Sequence, residues 1–118
     1  MDNRYFNIMA HPSGRIIAAR EAYEFDIDRV MEAAAKNGCF LELNAHPDRL
    51  DLNDVHCRKA VSYGLRVPIS TDAHSTGGLA NMRYGVYQAR RGCSGGGEGD
   101  GCGAGLIPSG DIGKACLT

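Results

Sequence analysis

Asp72 and His74, two positions apart in the stretch Arg66 to Ser75 (RVPISTDAHS), are the residues of this chain best placed to do chemistry. Val67, Ile69 and Thr71 suit a short buried strand, and in an extended chain Asp72 and His74 project from the same side, roughly 6.6 Å apart along it. A carboxylate and an imidazole at that separation can converge on one metal ion, or serve neighbouring ions of a cluster whose metals lie roughly 3.5–4 Å apart. The same pair also reads more simply, as a strand end with an acidic cap for the next helix and a histidine facing solvent.

Two earlier stretches end in the same way. Phe6 to Ala10 (FNIMA) is an apolar run closing at His11-Pro12, and proline biases the residue before it towards extended geometry, so His11 is expected at the C-terminal edge of a strand. Phe40 to Ala45 (FLELNA) closes at His46-Pro47. Each run is followed by a helical pattern. Asp26 is a good N-cap for a helix whose buried face carries Ile27, Val30, Met31 and Ala34, and Gly38 stops it. Asp51 or Asn53 can cap a second helix with Val55, Ala60 and Val61 inside and Gly64 at its end. Leu79, Met82, Val86 and Ala89 share one face of a third, closed by Gly92. Strand alternating with helix implies parallel strands, which want helices on both faces or a closed barrel, and barrel chemistry collects at the C-terminal strand ends. His11, Asn44, His46, Asp72 and His74 are all expected there.

The chain's 118 residues fit one domain, and 13 basic against 14 acidic residues give no long-range pull towards DNA or an anionic membrane. Metal ions can hold a phosphate without a basic stripe, so this balance argues only against broad contact with a nucleic-acid backbone. No apolar run reaches the roughly 20 residues of a membrane span, and MDNRYFNIMA lacks the long apolar core of a signal peptide, so the chain reads as cytoplasmic. Five cysteines without a C-x-x-C pair fit neither a disulfide framework nor a zinc ribbon; Cys39 and Cys57 read as small core residues. Composition changes at about Cys93. Residues 93 to 118 hold nine of the sixteen glycines and no aromatic residue, so the globular part is expected over 1 to 92 and a flexible, disordered glycine-rich tail after it.

The segments HPSGR (His11 to Arg15), LELNAHPDRLDLND (Leu41 to Asp54), STDAHS (Ser70 to Ser75) and YGVYQARRG (Tyr84 to Gly92) resemble the last part of the PHP (polymerase and histidinol phosphatase) domain, in the version joined to bacterial X-family DNA polymerases. The resemblance implies the C-terminal three β/α units of a distorted (β/α)7 barrel carrying up to three metals, Zn²⁺ and/or Mn²⁺. It implies His11, Asp72 and His74 as metal ligands, with no catalytic residue beyond the ligands. It further implies a 3′-to-5′ exonuclease acting on DNA 3′ ends in repair, within a parent that also holds the polymerase domains. The family builds its cluster from about nine ligands, and the earlier ones, with the strands that bear them, have no counterpart before His11. The resemblance therefore implies a fragment with an incomplete site, inactive alone. The tail departs from the family's usual continuation after ARRG and reads as a shifted frame through G+C-rich DNA.

Other residues carry two readings each. Arg15 and Arg49 follow strand ends and can hold a substrate phosphate bidentately, or pin loops by pairing with Asp48 or Asp51. Asn44 can orient a neighbouring ligand or cap a turn. Glu42, two positions earlier on the same strand face, can point into a barrel. His46 and His56 read as solvent-facing, and Arg90 and Arg91 as cations complementing a helix C-terminus. The functional expectations are a metal-dependent DNA 3′-end exonuclease module, a non-catalytic remnant, or a phosphatase for a small phosphomonoester such as histidinol phosphate.

Overall fold

The computed structural model describes residues 5–93 and 106–108. Three strand-helix cycles are present in the expected order: β1 (Ile8–Met9), α1 (Ile27–Asn37), β2 (Phe40–Leu41) continuing into β3 (Leu43–Asn44), α2 (Asp54–Ser62), β4 (Val67–Ser70), a 3₁₀ turn (Gly77–Asn81) and α3 (Met82–Cys93). Among the described residues the named strands pair in parallel. β1 lies beside β2, with Ile8 opposite Phe40 and Met9 opposite Leu41, whereas β3 lies beside β4, with Leu43 opposite Ile69 and Asn44 opposite Ser70. Residues 40–44 thus form one extended stretch that serves two ladders and changes partner at Glu42.

Local chemistry explains the helix boundaries. Asp26 caps α1 by accepting from the backbone N–H groups of Asp28 and Arg29, and Gly38 closes it with φ 66°. Asn53, rather than Asp51, caps α2 through the N–H of His56. α1 and α2 are tied together by Asp28, which accepts from Lys59 Nζ and Tyr63 Oη at 2.9 Å each; those two bonds hold its carboxyl below the usual carboxylate range.

The core is built from Met31 and Ala34 of α1, Leu41, Leu43 and Ala45 of the central stretch, Leu52, Cys57, Ala60, Val67 and Ala89, with Cys39 also buried. The expected face of α2 is rotated, whereas Met82, Val86 and Ala89 of the third cycle pack in or against the core as expected and only Leu79 departs. On α2 the buried pair is Cys57 and Ala60, while Val55 is 63% exposed. On the third cycle Leu79 lies in the 3₁₀ turn and is 61% exposed, and Gly92 sits inside α3 instead of ending it. The reason is close packing. A side chain at Gly85 would place its Cβ 2.5 Å from Ile69 Cγ2 and 2.7 Å from Ala45 Cβ, and one at Gly92 would meet the Asp54 carbonyl at 2.7 Å. Glycine lets α3 lie directly on the sheet and on α2.

The expected flexible tail falls mainly on residues outside those described. Of the described ones, Leu106–Pro108 form a strand, β5, parallel to β4, with Val67 opposite Leu106 and Ile69 opposite Pro108. The physical gain is clear: an unpaired β4 edge would leave a row of backbone donors and acceptors without partners.

Two outcomes test this packing. Gly85→Ala adds a methyl group where none fits, so it should lower stability by about 1–3 kcal/mol in urea denaturation despite alanine's better helix propensity. Burial first, and then the nearby Asp54 and Asp51 charges, push the Cys57 thiol up to about 12, so iodoacetamide at pH 8 should leave Cys57 unmodified in the native chain and modify it in urea.

Candidate functional site

The strand ends gather the polar residues of interest on one edge of the sheet. His11 follows β1, Asn44 ends β3, and Asp72 and His74 follow β4. Four of the described residues have left-handed backbones although none is glycine, Ala18 at φ 63°, Leu50 at 43°, and two that stand two positions past a strand end, His11 at 32° and Asp72 at 52°. Each such residue costs on the order of 1–3 kcal/mol and persists only where its surroundings hold it, a pattern that concentrates at functional sites. For His11 this replaces the extended geometry expected before proline. The turn closes because the Gly14 N–H reaches the His11 carbonyl at 2.9 Å and the His11 N–H is drawn to a side chain.

Two carboxylates hold that turn. The His11 N–H donates to Glu42 Oε2 at 2.7 Å, and the Ser13 and Gly14 N–H groups donate to Asp51 Oδ2 at 2.9 and 3.0 Å. Pro12 has no N–H, so every backbone donor from 11 to 14 meets a carboxylate. Asp51 is 1% exposed, and its backbone pairs with Asn44 in an antiparallel bridge. Gly14, at φ 63°, lies under the Tyr23 ring, where a Cβ would collide with it. The other oxygen of Glu42 accepts from Ser70 Oγ, at the end of β4.

The remaining candidates fall on one side or the other of their two readings. Arg15 pins the following loop: its Nε donates to the Arg49 carbonyl at 2.7 Å and Nη2 to the Leu50 carbonyl at 2.5 Å, in place of the carboxylate pairing with Asp48 or Asp51. Arg49 extends towards Asp72, with Nε 3.7 Å from Oδ2, and its Nη1 is buried without a hydrogen-bond partner, as is Asp51 Oδ1. Asn44 caps a turn by accepting from the His46 N–H at 3.0 Å. His46 Nδ1 accepts from the Asp48 N–H at 3.2 Å, which makes it a loop residue. His56, expected in solvent, is half-buried, and desolvation pushes its imidazole below the usual histidine range. Arg91 pairs with Asp54 at 3.6 Å, joining α3 to α2.

His11, Asp72 and His74 share an edge without closing on a common point. Among the described residues no three His, Cys, Asp or Glu side chains come together to hold a metal ion. β1 and β4 are separated by the stretch 40–44, about 9.6 Å for two strand spacings. In addition Asp72 faces Arg49, while His74 Nδ1 lies 2.8 Å from the Asp72 carbonyl. Imidazole and carboxylate donors suit Zn²⁺ or Mn²⁺ in kind, but these three do not fit a complete site by themselves. Glu42 and Asp51 were not separable from ordinary strand and cap residues in the sequence, because their partners lie 28 to 38 positions away.

No protein-family model matches the chain. Over 92 residues, 78% of this chain, it is 47% identical to the DNA polymerase/3′-5′ exonuclease PolX of Bacillus subtilis (strain 168). Over 78 residues, 61% of the chain, it is 33% identical to the probable phosphatase TTE1963 of Caldanaerobacter subterraneus subsp. tengcongensis. The matches span 16% and 28% of those two relatives' lengths. The chain with this parallel α/β segment is thus similar in sequence to part of a DNA polymerase/3′-5′ exonuclease and part of a probable phosphatase. More particularly, the resemblance to the PHP lineage of X-family DNA polymerases, carried by the motifs, is shown by the match to PolX.

Replacing Asp51 by alanine removes two charge-assisted bonds and strands the buried Ser13 N–H, while the Gly14 N–H keeps the His11 carbonyl, so Asp51→Ala should cost about 2 kcal/mol in urea denaturation. Asn53→Ala, which removes one helix cap, should cost about 1 kcal/mol in the same measurement.

Proposed function

We propose that this chain is part of a metal-dependent phosphoesterase module of the 3′-to-5′ exonuclease type, which processes DNA 3′ ends for an X-family polymerase. The observation that carries this reading is the 47% identity to PolX over 92 residues, in a chain whose strands are followed in turn by HPSGR, RLDL and DAH. In this reading the segment supplies the last three β/α units of a distorted (β/α)7 barrel. His11, Asp72 and His74 supply part of the donor set for up to three Zn²⁺ or Mn²⁺ ions, and the remaining donors come from other strands of the barrel. Bound metal would lower the pKa of a water towards neutrality and neutralise the phosphate. Arg49, next to Asp72 on the same edge, is the guanidinium best placed to meet a phosphate oxygen, since Arg15 is committed to two carbonyls. The module works in the cytoplasm beside polymerase domains. Read alone, the chain is a remnant without hydrolytic activity.

A second reading, a phosphatase for a small phosphomonoester such as histidinol phosphate, is favoured by the likeness to TTE1963. One experiment separates the two. The 92 matching residues should replace their counterpart in B. subtilis PolX, and the chimera should shorten a 3′-ended oligonucleotide with Mn²⁺, lose that activity with EDTA, and fall about 100-fold or more in an Asp72→Ala, His74→Ala double variant. A folded chimera that spares DNA but hydrolyses histidinol phosphate would establish the second reading, and one that does neither would leave the remnant.

A further inference from the structure

The geometry points to Glu42 as a positioning residue that locks two strand ends in register and holds His11 in its left-handed conformation. Its carboxylate is shared between elements that do not touch as a ladder. Oε2 accepts from the His11 N–H at 2.7 Å, just past β1, and Oε1 accepts from the Ser70 hydroxyl at the end of β4, two residues before Asp72. The backbone of Glu42 is also where the central stretch changes partner: its N–H donates to the Met9 carbonyl at 3.0 Å, and its carbonyl accepts from the Leu52 N–H at 3.3 Å. One half-buried side chain therefore sets the separation between His11 and the Asp72–His74 turn. A φ of 32° is unfavourable for histidine, and no helix or ladder imposes it. The bond from its own N–H to Glu42 does, assisted on the far side of the turn by Asp51.

The bearing of this clamp on hydrolysis rests on the functional reading above; its geometry does not. The test uses the ¹⁵N-labelled full chain, with the amide exchange rate and backbone φ of His11 as readouts and the buried Met31 and Cys57 amides as monitors of the fold. Glu42→Ala should accelerate exchange at the His11 amide by about tenfold or more and release its positive φ, with smaller changes at Ser13 and Gly14, which Asp51 holds. Glu42→Gln should restore both readouts, because its amide oxygen can accept from the His11 N–H while its amide nitrogen donates to Ser70 Oγ. An unchanged His11 in a folded Glu42→Ala chain overturns the assignment. Should that variant not fold, Ser70→Ala decides, since it frees one end of the clamp and leaves the core intact: faster His11 exchange supports the assignment, and unaltered exchange overturns it. In the PolX chimera, cleavage lost in Glu42→Ala and regained in Glu42→Gln supports positioning, whereas equal loss in both variants overturns it in favour of a charge acting on the reacting atoms. A chimera that never cleaves DNA, with the NMR results as expected, counts against the functional reading alone.

Discussion

Residues 40–44 impose the constraint on which the rest of the architecture depends. Parallel strands cannot be joined by tight turns, so each neighbour must be brought in by a crossover, and the middle strand must satisfy two neighbours at once. Here it does so in sequence, with Phe40 and Leu41 facing β1 and Leu43 and Asn44 facing β4. The change of partner falls on Glu42, whose main chain still bonds sideways while its side chain reaches both adjacent strand ends. Core packing follows from the same stretch. Leu41, Leu43 and Ala45 are fully buried because helices cover the sheet there, and α3 comes close enough only because Gly85 has no side chain.

Much of this was legible in the sequence where the information is local. The three cycles, the Asp26 cap and the Gly38 stop depend on residues within a turn or two of one another, and those stand as read. The rotated face of α2 depends on something else. Val55 is more apolar than Cys57, yet the helix turns Cys57 inwards because its neighbour across the contact is Gly92, where only a small side chain can approach. Gln88 and Gly85 are also buried on α3, and neither announces a core position by type. At the site, the strand ends were legible from the runs that close at His11, at His46 and before Asp72. The partners of Glu42 and Asp51 were not, because a carboxylate that accepts from a turn some three dozen residues upstream leaves no periodic trace.

The comparisons sharpen the meaning of the shared edge. A DNA polymerase/3′-5′ exonuclease and a probable phosphatase are both similar to this chain, in which His11, Asp72 and His74 stand at strand ends along one edge. Among the described residues these side chains do not close on one another, and Arg49 lies beside Asp72. Parallel α/β construction makes such division natural, since each β/α unit contributes its own loop to one edge and a full constellation needs several units.

Runs of backbone N–H groups in a turn are one device by which enzymes bind anions, and the turn at His11 to Gly14 carries three such groups. In this chain those amides are already taken by the protein's own acids, so a negatively charged guest finds no welcome from the main chain there. Any preference among anions at this edge must then be written in side chains, which leaves the loop free to diversify in shape without losing its grip on the histidine it carries.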